Sequence, residues 1–265
     1  MKREAVKKFL FLILFFLLFP LAGSAHESLP ESESAPAIKT LDHSVFSEIL
    51  ERYVNKKGLV NYRGLKRDKE ALAHLESYIK DMVKIDGFQL EPIQEVSAYW
   101  LNLYNALVLN EVLKHYPVQT VAQIPKFFDG ERYEVAAFPG QKLSFLDFEK
   151  KVFKEKLPDP RLHLLRVNAS MSSAPLLREA YNGPTFNQKA EGVVLAFLLD
   201  FSKNYYDPTR NIFYASPLFL WFDEDFRIWT ASNRLFIQIR LPRLPRNFNM
   251  RFMGYDWKLN DERFR

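Results

Sequence analysis

Reactive side chains gather in the stretch Arg161–Leu177, "RLHLLRVNASMSSAPLL". His163 stands between Leu162 and Leu164, and after Asn168 come three hydroxyls, Ser170, Ser172 and Ser173. A serine becomes a nucleophile only beside a base that takes its proton and donors that hold the developing oxyanion. His163 offers the base if the alternation with its leucines is a strand that turns it away from them. The plainer reading makes His163 a core residue bonded to a carbonyl, and the serines a turn closed by their own backbone. Asp256, between Tyr255 and Trp257 in "YDWKLN", could orient an imidazole as the acid of a triad does, or satisfy amides at a turn.

Asn102 and Asn105 lie three apart in "YWLNLYNALVLNEVL" and share a helix face. They either clip loops to a buried helix or line a pocket and orient a carbonyl. Other chemistries find little support. There is no cysteine, hence no thiol nucleophile, thiolate metal site or redox pair. The five histidines show no metal-ligand spacing, and no phosphate-cradling glycine loop is present, so no cofactor and no metal are expected.

These residues need elements to position them. Val45 to Val54 has helical periodicity, with Asp42 where an N-cap would stand and Gly58 as a stop. "GLVNYRGL" reads as a short extended piece, followed by a helix over 70–83. A third helix spans Pro92 or Ile93 to His115, where Pro117 prevents continuation. "YEVAAFPGQKL" predicts a hairpin with a Pro-Gly turn. Ser144 and Asp147 have capping-box spacing ahead of "FLDFEKKVF", the segment that carries Glu149. A long apolar helix is expected over 188–205, and "NIFYASPLFLWF" reads as strand. No composition break divides residues 41–265. The expectation is therefore α+β, a single helix-rich domain with a central, mainly antiparallel sheet.

Ahead of it, four basic residues within Met1–Lys8 precede the apolar run Phe9–Gly23 and then small residues up to Ala25, the layout of a secretory signal peptide. An uncleaved N-terminal membrane anchor is the alternative. Residues 26–40 read as a flexible lead-in. The expected compartment is periplasmic or extracellular. Loss of 1–25 removes four positive charges and one negative, so the net charge falls from +5 to +2 and gives no case for nucleic-acid binding. The 24 Phe, 12 Tyr and 4 Trp point to an aromatic core. Arg234, Arg240, Arg243, Arg246 and Arg251, interleaved with Leu and Phe, are either a solvated edge or a surface for peripheral membrane association.

Six colinear segments resemble one family, domain of unknown function 547: "LERYVNKKGLVNYRGL", "AYWLNLYNALVLNEVL", "KLSFLDFEKKVF", "DPRLHLLRVNASMSSAPLLREAY", "LFLWFDEDF" and "YDWKLN". The resemblance implies a Cys at the position of Asn168, a Cys-Pro-Pro where Ser173, Ala174 and Pro175 stand, and a His in place of Lys150. Glu149 is kept. The most reactive positions are thus altered together, and Ser173 inherits the place of the sulfur. Two readings follow. One is a non-catalytic protein that keeps a pocket for a small molecule or an envelope partner, with Asn102, Asn105, Asn168 and Glu149 as binding residues. The other is a hydrolase or acyl-transfer enzyme using Ser173, His163 and Asp256, with Asn168 or Asn102 as oxyanion donor.

Overall fold

The computed structural model describes residues 40–264. The signal-peptide reading and all of the lead-in except Thr40 lie outside the described residues. The fold is α+β in one compact domain, and it is organised around a helix with no polar face. In α4 (Ile93–His115) apolar residues point in every direction, and Glu95 through Leu113 are all buried. A helix of that pattern has to be wrapped on all sides. α3 (Lys69–Met82), itself packed against α1 (Ser44–Tyr53) and α2 (Tyr62–Arg67), covers one part of it, and α6 (Phe186–Leu199) covers another. Burial of each large side chain here contributes about 1.5–3 kcal/mol. Trp100 and Tyr104 are wholly enclosed and meet Phe145, Phe148 and Phe153 edge to face at 5.4–6.1 Å.

Local signals account for most boundaries. Ser144 and Asp147 form the expected capping box at the start of α5 (Phe145–Asp147), which runs on as a wider helical turn over Phe148–Lys154. The expected hairpin is present as β1 (Tyr133–Glu134) paired antiparallel with β2 (Lys142–Leu143). A second sheet joins β3 (Tyr205–Asp207) antiparallel to β4 (Ile212–Ala215), and β4 parallel to β5 (Asn249–Phe252). Strand content is thus divided between two small sheets, and α4 holds the centre.

Four stretches differ from their expected form. "NYRGL" is helical, because the Asn61 side chain accepts the Gly64 N–H at 2.7 Å and starts α2. α6 stops at Leu199 rather than near 205, where Asp200 C=O takes the N–H of Lys203 and Asn204 and turns the chain into β3. "LFLWF" is the short helix α7 (Leu218–Trp221), followed by α8 (Asp223–Thr230) and α9 (Asn233–Arg240). The stretch around His163 is also no strand. Pro160–Leu164 form a 3₁₀ turn that Asp159 caps by accepting the Arg161 N–H at 2.9 Å, with Pro160 in the first position. All five residues are buried, so the apparent alternation of faces does not exist.

The C-terminal "YDWKLN" segment is a strap. Met171 N–H donates to Lys258 C=O, Asn260 N–H to Ala169 C=O, and Leu259 N–H to Gln119 C=O. Tyr62 Oη reaches Asn260 Oδ1 at 2.8 Å. The strap therefore ties the opening segment and the serine loop to one line of backbone.

Candidate functional site

The serine loop, the turn carrying His163, α7 and the strap enclose a cavity of about 330 Å³. Its walls include Tyr104, Phe128, Leu218, Trp221, Phe222 and Trp257, and its polar residues are Glu149, His163, Arg166, Asn168, Ser173 and Tyr255. A more open groove of about 900 Å³ runs between α1, the 175–179 loop and α6. That groove holds none of the reactive side chains, and its Arg178 is already bonded to the carbonyls of Glu51 and Val54.

Each polar group of the smaller cavity is fixed by identifiable partners. His163 is 3% exposed, stacks on Phe222 at 4.0 Å, and places Nε2 2.8 Å from Asp225 Oδ2 at the start of α8. Burial, together with the nearby Arg166 guanidinium, pushes this imidazole down to about 4 against the pull of Asp225. The ring is neutral at pH 7, Nε2–H donates to the carboxylate, and Nδ1 is buried without a hydrogen-bond partner. The same hydrogen bond holds Asp225 below the usual carboxylate range. Arg166 lies with Cζ 4.8 Å from the centre of the Phe222 ring, and its Nη2 is 3.4 Å from Glu149 Oε1. Its Nη1 is buried and unpartnered.

The serine loop is braced rather than poised. Ser173 Oγ accepts the Asn168 N–H at 3.0 Å. Asn168 Nδ2 donates to Tyr255 Oη at 2.8 Å, and its Oδ1 receives the Ser170 hydroxyl at 2.6 Å. Ala169 sits between them in the left-handed region, φ 59°, where a side chain costs about 1–2 kcal/mol. Ser172 Oγ takes the Asp256 N–H at 2.8 Å. Because His163 Nδ1 has no partner and Nε2 is on Asp225, no hydrogen bond joins Ser173 to His163.

The structure thus brings Ser173, His163, Asn168 and Glu149 to one cavity, and leaves three residues outside it. Asn102 is a clip: its Nδ2 donates to Tyr181 C=O at 2.8 Å and its Oδ1 accepts Tyr181 N–H at 2.9 Å. Asn105 Oδ1 accepts the Val167 N–H at 3.0 Å, so it anchors the chain that enters the serine loop without lining the cavity. Asp256 is turned away from the imidazole. Its Oδ1 accepts the Lys258 N–H at 3.0 Å, the turn role of a short acid. The acid beside His163 is Asp225, 62 residues away in sequence. "LFLWFDEDF" contained it, but nothing local distinguishes it from Asp223 or Glu224. Arg166 and Tyr255 were missed too. Arg166 had one signal, its position three residues after His163, just past the end of the Pro160–Leu164 turn.

Among the described residues no group of three or more His, Cys, Asp or Glu side chains is gathered as a metal site would require, and no helix is long and apolar enough to cross a membrane. No curated protein matches the chain, and no solved structure does. Three of the six resembling segments, those with α4, Glu149 and the serine loop, fall within one matched stretch. Residues 89–198 match the model of the family described as "Protein of unknown function, DUF547", and the resemblance drawn from the motifs is shown over that span.

Proposed function

We propose that this is an exported, non-catalytic binding protein that takes a small, largely apolar or aromatic molecule into the cavity beneath Trp221, Phe222 and Trp257. One observation carries the reading. The hydroxyl at the reactive position, Ser173, is engaged by the Asn168 amide and has no base on it, while the cavity around it stays open at about 330 Å³. That volume is at the lower end of the range for small-molecule sites, and mainly apolar walls with a few fixed polar groups are their usual make-up. A serine without a base is a poor attacker at neutral pH. The layout of Met1–Ala25 supports export, and N-terminal sequencing of protein recovered from the cell envelope or medium tests it: a start at His26 is expected, a start at Met1 contradicts cleavage.

The binding reading is tested with an anilinonaphthalene dye followed by fluorescence. Saturable one-to-one binding is expected. Leu218→Trp, which fills the cavity, should weaken it at least about tenfold, since displacing a ligand ring loses several kcal/mol of burial. Ala196→Trp, in the open groove, should leave it unchanged. Equal binding by all three proteins rejects the cavity as the site.

A serine-dependent hydrolase or acyl-transfer enzyme is the second reading, and the specific support for it is the His163–Asp225 pair on the wall that also holds Ser173. It requires the imidazole to turn Nδ1 onto Ser173 Oγ when substrate enters.

A further inference from the structure

From Arg227 to Arg251 the chain carries six arginines and no aspartate or glutamate. The same segment exposes large apolar side chains: Ile228 is 75% exposed, Ile239 60%, Trp229 47% and Leu235 42%. Leu235 and Ile239 are four apart in α9, so they share its outward face, while Phe236 and Ile237 are buried on the inner one.

Trp229, Leu235 and Ile239 belong to one surface. Glu191 in α6 is gripped by Arg240 through Nε and Nη2, both at 2.9 Å, and by Arg161 at 3.1 Å. The Trp229 ring lies 5.3 Å from Arg161 Cζ. Trp229, Ile239 next to Arg240, and the exposed Leu195 one turn beyond Glu191 therefore surround a single ion cluster. Around them, Arg234, Arg243 and Arg246 are exposed and make no ion pair among the described residues, and Arg227 reaches only Asp223, at 3.6 Å. A rigid protein partner would have to match each of these long cations with a placed acid. A lipid surface needs only negative charge at the edge and a few ångströms of apolar depth.

We propose that the exposed apolar face of α8 and α9, edged by Arg227, Arg234, Arg243 and Arg246, docks on the surface of an anionic lipid bilayer. Ile228, Trp229, Leu235 and Ile239 enter the headgroup boundary, and the arginines sit at the phosphates. The docking is independent of what the cavity binds.

The test is sedimentation of the full chain with vesicles of phosphatidylcholine alone or with about 30% phosphatidylglycerol, at low salt and at about 1 M, where the Debye length is about 3 Å. The neutral vesicles read whatever the apolar run Phe9–Gly23 contributes by itself. Excess binding to the anionic vesicles, lost at high salt, is expected. Arg243→Gln with Arg246→Gln should reduce that excess about 25-fold, at roughly fivefold per cation. Ile228→Ser with Ile239→Ser should reduce it more than about tenfold, with thermal unfolding unchanged because both sites are exposed. Equal partition onto neutral and anionic vesicles, or variants that bind as the parent does, overturns the proposal. So does a lipid-free dimer that Ile239→Ser makes monomeric, which would assign the face to a second copy of the chain.

Discussion

Replacing Asn102 by leucine separates the two roles an asparagine on a buried helix can have. The side chain closes a two-bond ring with the Tyr181 backbone, 2.8 Å and 2.9 Å, in a region without solvent. Leucine is close in size but leaves one N–H and one C=O buried and unsatisfied. Each costs about 1–3 kcal/mol. The added apolar contact offsets about 1 kcal/mol of that total. A net loss near 3 kcal/mol follows, which for a domain of this size lowers the melting temperature by about 6–12 °C. Asn105→Leu orphans only the Val167 N–H and should cost about half as much. Urea titration followed by circular dichroism gives the free energies, and dye titration at a temperature where the variant is fully folded gives the cavity affinity. The clip assignment requires a large stability loss with the affinity of the folded protein intact. A variant within about 0.5 kcal/mol of the parent, or one that is stable but has lost the ligand, refutes it.

His163 makes stability fall with acid. Its folded value is about 4 against 6.5 when unfolded, so the unfolded chain takes the proton first as pH drops. Stability is complete above about 6.5 and declines by up to about 3 kcal/mol toward pH 4. Asp225 adds its own loss only as pH falls through and below its unfolded value of 3.8. Urea midpoints measured across this range should show a shallower decline in His163→Gln, and identical slopes would remove the neutral-imidazole assignment. Gly58→Ala should cost about 3 kcal/mol by thermal unfolding, because Gly58 has φ +76° and an added Cβ would stand 2.5 Å from Pro175 Cβ. A neutral result would mean that the Gly58–Pro175 contact yields freely.

The parts of the fold that were legible in the sequence are those written in local chemistry. α4 announced itself by having no polar side between two prolines, and the Ser144–Asp147 box marked the start of α5. The turn around His163 was misread because five residues suffice to imitate alternation, while the deciding signal was the Asp159–Pro160 pair just before them. α8 and α9 were not singled out, since their outward faces carry apolar residues where a surface helix usually shows polar ones. Glu149, His163, Asn168 and Ser173 converge on the cavity, whereas the acid beside His163 comes from a segment 62 residues further on. The aromatic neighbours of Asp256 leave a triad acid and a turn acid both open; in the fold it caps its own turn, and the packing of α8 sets Asp225 against His163. The motif resemblance located Ser173. Only the fold shows that its oxygen accepts the Asn168 N–H and meets no imidazole.

The most direct test of the central claim is whether Ser173 can be made to react. The purified chain is incubated with a fluorophosphonate at neutral pH and the intact mass is read. Unmodified protein, with no dependence on Ser173→Ala, is the predicted result. Stoichiometric label on Ser173, abolished by that substitution and slowed by His163→Gln, would show an activated hydroxyl and contradict the account.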